Sequence, residues 1–201
     1  MLKKINSLKT LVLTSSIIVL SSTYANAKDF YYKFNNKDGK INFELTTNVH
    51  PLKANVEKFK GFINVKSKDQ KNIDAVDGLL EIDTSSITTH ISLCDSRMKS
   101  ETLSTSKFPK ITFKVLNAEI ISNKLDIDNT VNLKLIGNLT IREVTKKVDI
   151  PVKVTVSSDK TSAIVEGKYK VNFPDYKVPD PSVLVAKVYP DVDLSFKLKV
   201  Q

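Results

Sequence analysis

"VNLKLIGNLTIR", Val131 to Arg142, alternates almost residue by residue. Val131, Leu133, Leu135, Gly137, Leu139 and Ile141 share one side, and Asn132, Lys134, Asn138, Thr140 and Arg142 the other. A side-chain period of two belongs to a strand with one dry face and one wet face. The same period returns along the chain. Ile41, Phe43 and Leu45 share a face, as do Leu80 and Ile82, and Ile111, Phe113 and Val115. Phe59, Gly61, Ile63 and Val65 do so too, with Phe62 interrupting their polar side. Val148 to Val156, Val165 to Phe173 and Val192 to Val200 complete the set. Polar breakers separate several of them: "KDG" at 38–40, "KSKDQKN" at 66–72, "SNK" at 122–124 and "SSDK" at 157–160.

About eight such stretches with little helical periodicity predict an all-β domain, either an antiparallel barrel or a sandwich. The difference matters for function. An eight-stranded barrel is wide enough to hold one small ligand or to fill itself with side chains. A sandwich leaves no such space. Alternation does not separate the two, nor a self-packed interior from a ligand-lined one.

Two stretches depart from the pattern. From Ser92 the chain reads "SLCDSRMKSETLSTSK", where Asp95 is placed to cap a short helix with Met98, Thr102 and Leu103 as a weak apolar stripe. That helix should end before Lys107, because Phe108 precedes Pro109 and is pushed toward extended geometry. From Phe173 to Asp191, Pro174, Pro179, Pro181 and Pro190 forbid a regular central strand, and a long irregular connection of this kind is often a lid or rim.

The first 27 residues read as an export signal: Lys3, Lys4 and Lys9, then the apolar run Leu11 to Leu20, then Ala25-Asn26-Ala27. That run is short of the roughly 20 residues a bilayer span requires. Cleavage there leaves one domain, residues 28–201, in the periplasm or secreted, and lowers the net charge from +9 to +6. Scattered lysines, little arginine and export argue against a nucleic-acid partner. They suit solubility first and transient contact with anionic lipid second.

Chemistry is sparse. Cys94 is the single cysteine, so no internal disulfide forms. His50 and His90 stand outside any metal-ligand spacing, and His50 before Pro51 reads as a turn residue. A Cys94 nucleophile would sit beside the opposing charge of Asp95. No catalytic residue, metal or cofactor is expected.

Several segments resemble the YceI-like family of exported bacterial proteins. In the first, Leu93, Asp95, Met98, Leu103, Lys107, Phe108, Pro109, Thr112 and Phe113 fit that family's pattern without a gap. "GNLTIREVTKKVDIPVKV" from Gly137 is similar to its Leu-Thr-Ile strand and turn, and Asp175 to Val178 with Pro181-Ser182 to its closing segment. Phe59-Lys60-Gly61 and Ile82 to Ile87 also fit. Cys94 and Arg97 stand where the family often has arginine and histidine, and Glu143 where it has glycine. Glu143 therefore implies a differently shaped turn or one without a positive φ.

The resemblance implies a lipocalin-like barrel of about eight strands with the short helix over one end, carrying an isoprenoid, isoprenoid quinone or other long-chain lipid. Its wall would be Phe43, Phe59, Ile63, Ile82, Ile111, Phe113, Leu133, Leu135, Val154, Tyr169, Leu194 and Phe196, with Arg97 and Lys99 near a head group. Self-association as a homodimer stays open. The rival expectations are a self-packed structural or stress-response barrel without ligand and an enzyme using Cys94.

Overall fold

The computed structural model describes residues 28–67, 74–121, 129–183 and 186–201. The expected export signal, the "SNK" breaker and most of "KSKDQKN" lie outside the described residues.

The alternating stretches become long strands. The eleven are β1 (Lys28–Asn35), β2 (Gly39–Thr47), β3 (Leu52–Val56), β4 (Phe59–Ser67), β5 (Ala75–Asp83), β6 (Ile87–Thr88), β7 (Lys110–Ile120), β8 (Thr130–Ile141), β9 (Val144–Val156), β10 (Ala163–Asn172) and β11 (Val188–Val200). They form one sheet in the order β1-β4-β5-β7-β8-β9-β10-β11-β2-β3-β6, with antiparallel neighbours. The sheet curls and its margins are stitched together. Lys33 and Gln201 exchange two backbone hydrogen bonds of 2.7 and 3.1 Å. β3 runs into β4 through Glu57, whose N–H donates to the Ser86 carbonyl at 3.1 Å.

The eight expected strands are all present, but the count among the described residues is eleven. β1, β3 and β6 were not read from the pattern. β1 sets Phe30, Tyr31 and Tyr32 side by side without alternation, and β6 has only two residues. The proline-rich segment also departs in part from expectation. Phe173–Tyr176 forms a single 3₁₀ turn, and β11 already begins at Val188, taking in Pro190 where its register with β2 shifts between Val188 and Val192. At such an irregularity a missing N–H removes no ladder bond.

Inward side chains close much of the interior. Phe34 lies over Gly61, Phe113 over Gly137 and Phe196 over Gly167, so that a Cβ on any of these glycines would strike the ring. Gly61 pairs with Phe34, and Gly167 with Phe196, across neighbouring strands. Each ring thus fills the space its partner leaves, and around them Ile41, Leu133, Leu135, Val152, Val165 and Leu198 are buried.

The outer face carries cross-strand ion pairs. Glu81 forms an ion pair with Lys60 at 3.7 Å and accepts from Lys110 at 2.6 Å, and Lys134 bridges Glu119 and Asp149 at 3.0 and 3.3 Å. Phe62, the interruption on the polar side of β4, stacks on Tyr31 with ring centroids 5.4 Å apart.

Candidate functional site

At one end the barrel is hollow. A cavity of about 720 Å³ opens where the β2–β3 hairpin, the helical segment and the proline-rich segment meet. Phe43, Leu45, Leu52 and Ala54 come from the hairpin. Ile87, Ile111, Ile141, Val171 and Val192 come from strand ends, because β6, β7, β8, β10 and β11 all reach this end. Val178, Pro179, Pro181, Val183 and Ala186 of the proline-rich segment close another side. That connection is a rim, as its length and prolines led one to expect.

The cover is helix α1 (Ser92–Arg97), continued by a wider π-type turn over Met98–Thr102. Leu93, Cys94, Met98 and Leu103 face the cavity. Asp95 does not cap this helix. Ile91 is the residue before it and makes no side-chain capping bond. Asp95 instead lies inside the first turn, where its carboxylate accepts from the Thr88 hydroxyl at 2.6 Å and from the Thr89 N–H and hydroxyl, each at 2.7 Å. Partial burial pushes this carboxyl up, but the bonds from Thr88 and Thr89 outweigh it and hold the pKa below the usual aspartate range. The helix is thereby clamped to the strand that precedes it.

Arg142 ties the cover to the rim. It occupies the two-residue turn between β8 and β9 with a left-handed φ of 52°, whereas Glu143 does not take a positive φ. One guanidinium nitrogen donates to the Thr102 carbonyl at 3.2 Å and the Lys177 carbonyl at 3.3 Å, and the group lies 5.1 Å above the Phe108 ring. Beneath the rim, burial pushes the Tyr176 phenol up to about 12, with Tyr169 and Asp175 adding to the shift. It therefore stays neutral under the Lys146 ammonium, 5.7 Å from its ring.

Polar residues are a minority of the lining: Thr47, His50, Thr89, Arg97, Glu101, Thr102 and Asp180. Arg97 donates to Glu101 at 3.2 and 3.3 Å, so its charge is already paired. Lys99 is not part of the lining and acts on Asp83 and Asp95 instead. His50 is a turn residue, bonded through its N–H to the Thr47 hydroxyl at 3.1 Å. Cys94 is half-buried. Among the described residues no three of His, Cys, Asp or Glu gather as metal ligands do.

Of the twelve residues expected on the wall, Phe43 and Ile111 line the cavity. Phe59, Ile82, Phe113, Leu133 and Leu135 are buried in the packed core, while Ile63, Val154, Tyr169, Leu194 and Phe196 are partly buried against it. All point inward as their period requires, but these ten are not part of the cavity lining. One inward position along from the lining residues Phe43, Ile111 and Ile141 lie Ile41, Phe113 and Leu139, each buried in the packed core and outside the lining. The lining from the hairpin tip, the helix and the proline segment was missed as wall. Arg142 was also missed, because nothing in its neighbourhood announces contacts with residues 40 and 35 positions away.

Solved structures share this fold, among them the following three. BcnA of Burkholderia cenocepacia matches with a TM-score of 0.68 at 16% identity, over 84% of this chain and 99% of its own. A protein of Saccharophagus degradans, described as a polyisoprenoid binding domain implicated in plant cell wall breakdown, matches with a TM-score of 0.66 at 16% identity, over 87% and 99%. A Campylobacter jejuni YceI protein matches with a TM-score of 0.56 at 19% identity, over 74% and 83%. No curated protein sequence matches the chain. The family model of the YceI-like domain matches residues 32–200, nearly the whole of the described barrel, and the chain belongs to the YceI-like family.

Proposed function

We propose that this protein is an exported, periplasmic or secreted carrier that holds an isoprenoid, an isoprenoid quinone or a similar long-chain lipid in the hollow end of its barrel. The observation that carries this reading is the cavity itself: about 720 Å³, lined mainly by leucine, isoleucine, valine and other apolar side chains, with seven polar residues among them. Volumes of roughly 300–1,000 Å³ are those of ligand pockets. Each methylene that leaves water for such a space contributes about 0.8 kcal/mol, and a hydrocarbon tail needs no polar partner along its length. Phe43 and Ile111 contact the tail, and Arg97, already neutralised by Glu101, lies beside the head group. Lipid binding by a relative of the same fold supports the choice of ligand class. The protein acts by binding and not by catalysis. Cys94 serves as one apolar lining residue among many.

Mass spectrometry without detergent tests the proposal, on protein purified from its own host. A long-chain lipid should accompany the polypeptide, and lipid-stripped protein should take up an added isoprenoid quinone. Polypeptide mass alone together with no uptake would leave a barrel that carries nothing. Export is tested by sequencing the N-terminus of the mature protein, which should begin at Lys28.

A further inference from the structure

The mouth of the cavity is edged by apolar side chains held out into water. Val49 is 62% exposed, Leu93 71%, Ile91 46% and Val183 39%, and all four also line the cavity. They come from three separate segments, and each segment is fixed in place. The Thr47 hydroxyl accepts from the Val49 and His50 N–H groups. The Ile91 N–H donates to the Thr89 hydroxyl, which itself donates to Asp95. Val183 and Ala186 exchange backbone bonds, and Asn48 and Lys187 tie the hairpin tip to the proline-rich segment at 2.8 and 3.1 Å. Apolar side chains presented around an apolar opening mark a contact surface.

Its charge selects the partner. On the edge itself Arg97 is neutralised by Glu101, while Asp180 accepts from the Ser182 N–H and keeps its charge, which Lys187 offsets. Next along the chain to the lining residues Leu52, Val178 and Ala186 stand exposed Lys53, Lys177 and Lys187; Lys187 lies 5.8 Å above the ring of Tyr189, and Lys53 is paired with Glu44 only at 3.9 Å. Exposed apolar side chains with lysine and tyrosine among their neighbours along the chain match the composition of a surface that meets a phospholipid interface, where acyl chains lie beneath phosphates.

We propose that this edge docks on a phospholipid bilayer, with Val49, Ile91, Leu93 and Val183 entering the acyl layer and the lysines meeting phosphates. A second copy seated there would seal the opening, whereas a bilayer leaves it facing the phase in which an insoluble lipid resides. The inference rests on the carrier reading for its purpose but not for its test.

The chain contains no tryptophan, so a single introduced indole reports without background. Leu93→Trp places it on the edge. Ile120→Trp places it on an equally apolar exposed residue, 51% accessible, at the opposite end of β7 from the lining residue Ile111. Both proteins are mixed with vesicles of phosphatidylcholine with a minor fraction of phosphatidylglycerol, free of isoprenoid, some carrying brominated acyl chains. The indole at 93 should shift to the blue and be quenched by bromine, and that at 120 should do neither. In flotation, Val49→Asp should lower vesicle partition by about tenfold, the worth of one withdrawn apolar side chain. Equal response at both positions, or none at 93, overturns the proposal. So does a blue shift at 93 that grows with protein concentration in the absence of vesicles, because the edge then belongs to a second copy. Quinone uptake in vesicle-free solution is read separately: uptake without docking sinks the bilayer contact alone, and docking without uptake sinks the carrier alone.

Discussion

Two parts of this barrel are built from strands of the same pattern, yet one is packed solid with rings and the other is hollow. In the solid part, three phenylalanines lie over three glycines of neighbouring strands and close the centre. In the hollow part, the lining consists mainly of leucine, isoleucine, valine and alanine, and no glycine of the chain lies in it. The wall there is completed by a helix and a proline-rich segment that rest on the strand ends without entering the barrel. The difference teaches that period two assigns a side chain to the interior but not to a neighbour. Whether an inward residue meets another ring or empty space depends on its depth and on what faces it across the barrel.

The comparison can be broken most forcefully at Phe113. Phe113→Ala should cost about 3–5 kcal/mol in urea unfolding, because it removes a ring from close-packed surroundings. A loss below 1 kcal/mol would mean that the solid part is not solid. Leu45→Ala, in the hollow end, should cost only about 1–2 kcal/mol, since a side chain facing a void already lacks partners on one side. It should weaken lipid uptake more than it weakens the fold.

The clamp on the cover of the hollow end gives an effect of similar size. Asp95→Asn should cost about 1–2 kcal/mol, as the hydrogen bonds from Thr88 and Thr89 lose their charged acceptor. Because folding depresses this carboxyl, its contribution is present in full above the ordinary aspartate pKa of about 4 and fades as the pH falls below that. Unfolding measured on both sides of that pH should therefore show the wild-type advantage over Asp95→Asn shrinking on acidification. A constant difference would show that the charge of Asp95 does not hold the helix. The smallest change in stability belongs to Val192→Phe, which fills the hollow. It should shift unfolding by no more than about 1 kcal/mol while abolishing quinone uptake. Stable protein that still takes up quinone would place the lipid elsewhere.

The residues made part of this legible beforehand. Val131 to Arg142 and its counterparts announce dry and wet faces, and each of the eight stretches read in this way is a strand. β1 escaped because Phe30, Tyr31 and Tyr32 pack on both faces, the last with its hydroxyl donating to the Lys160 carbonyl at 3.2 Å. Asp95 looked like a cap because acidic residues near helix starts usually are. Its partners, Thr88 and Thr89, become available only because the helix folds back over β6.

Sequence alone determined the alternation, the inward and outward sets and the placing of prolines where the ladder breaks, since these follow from the geometry of an extended backbone and from the missing proline N–H. Only the tertiary structure decided where the cavity lies. A void depends on curvature, on strand stagger and on which rings stand opposite one another, and those are relations between residues such as Phe113 and Gly137 that no local period encodes.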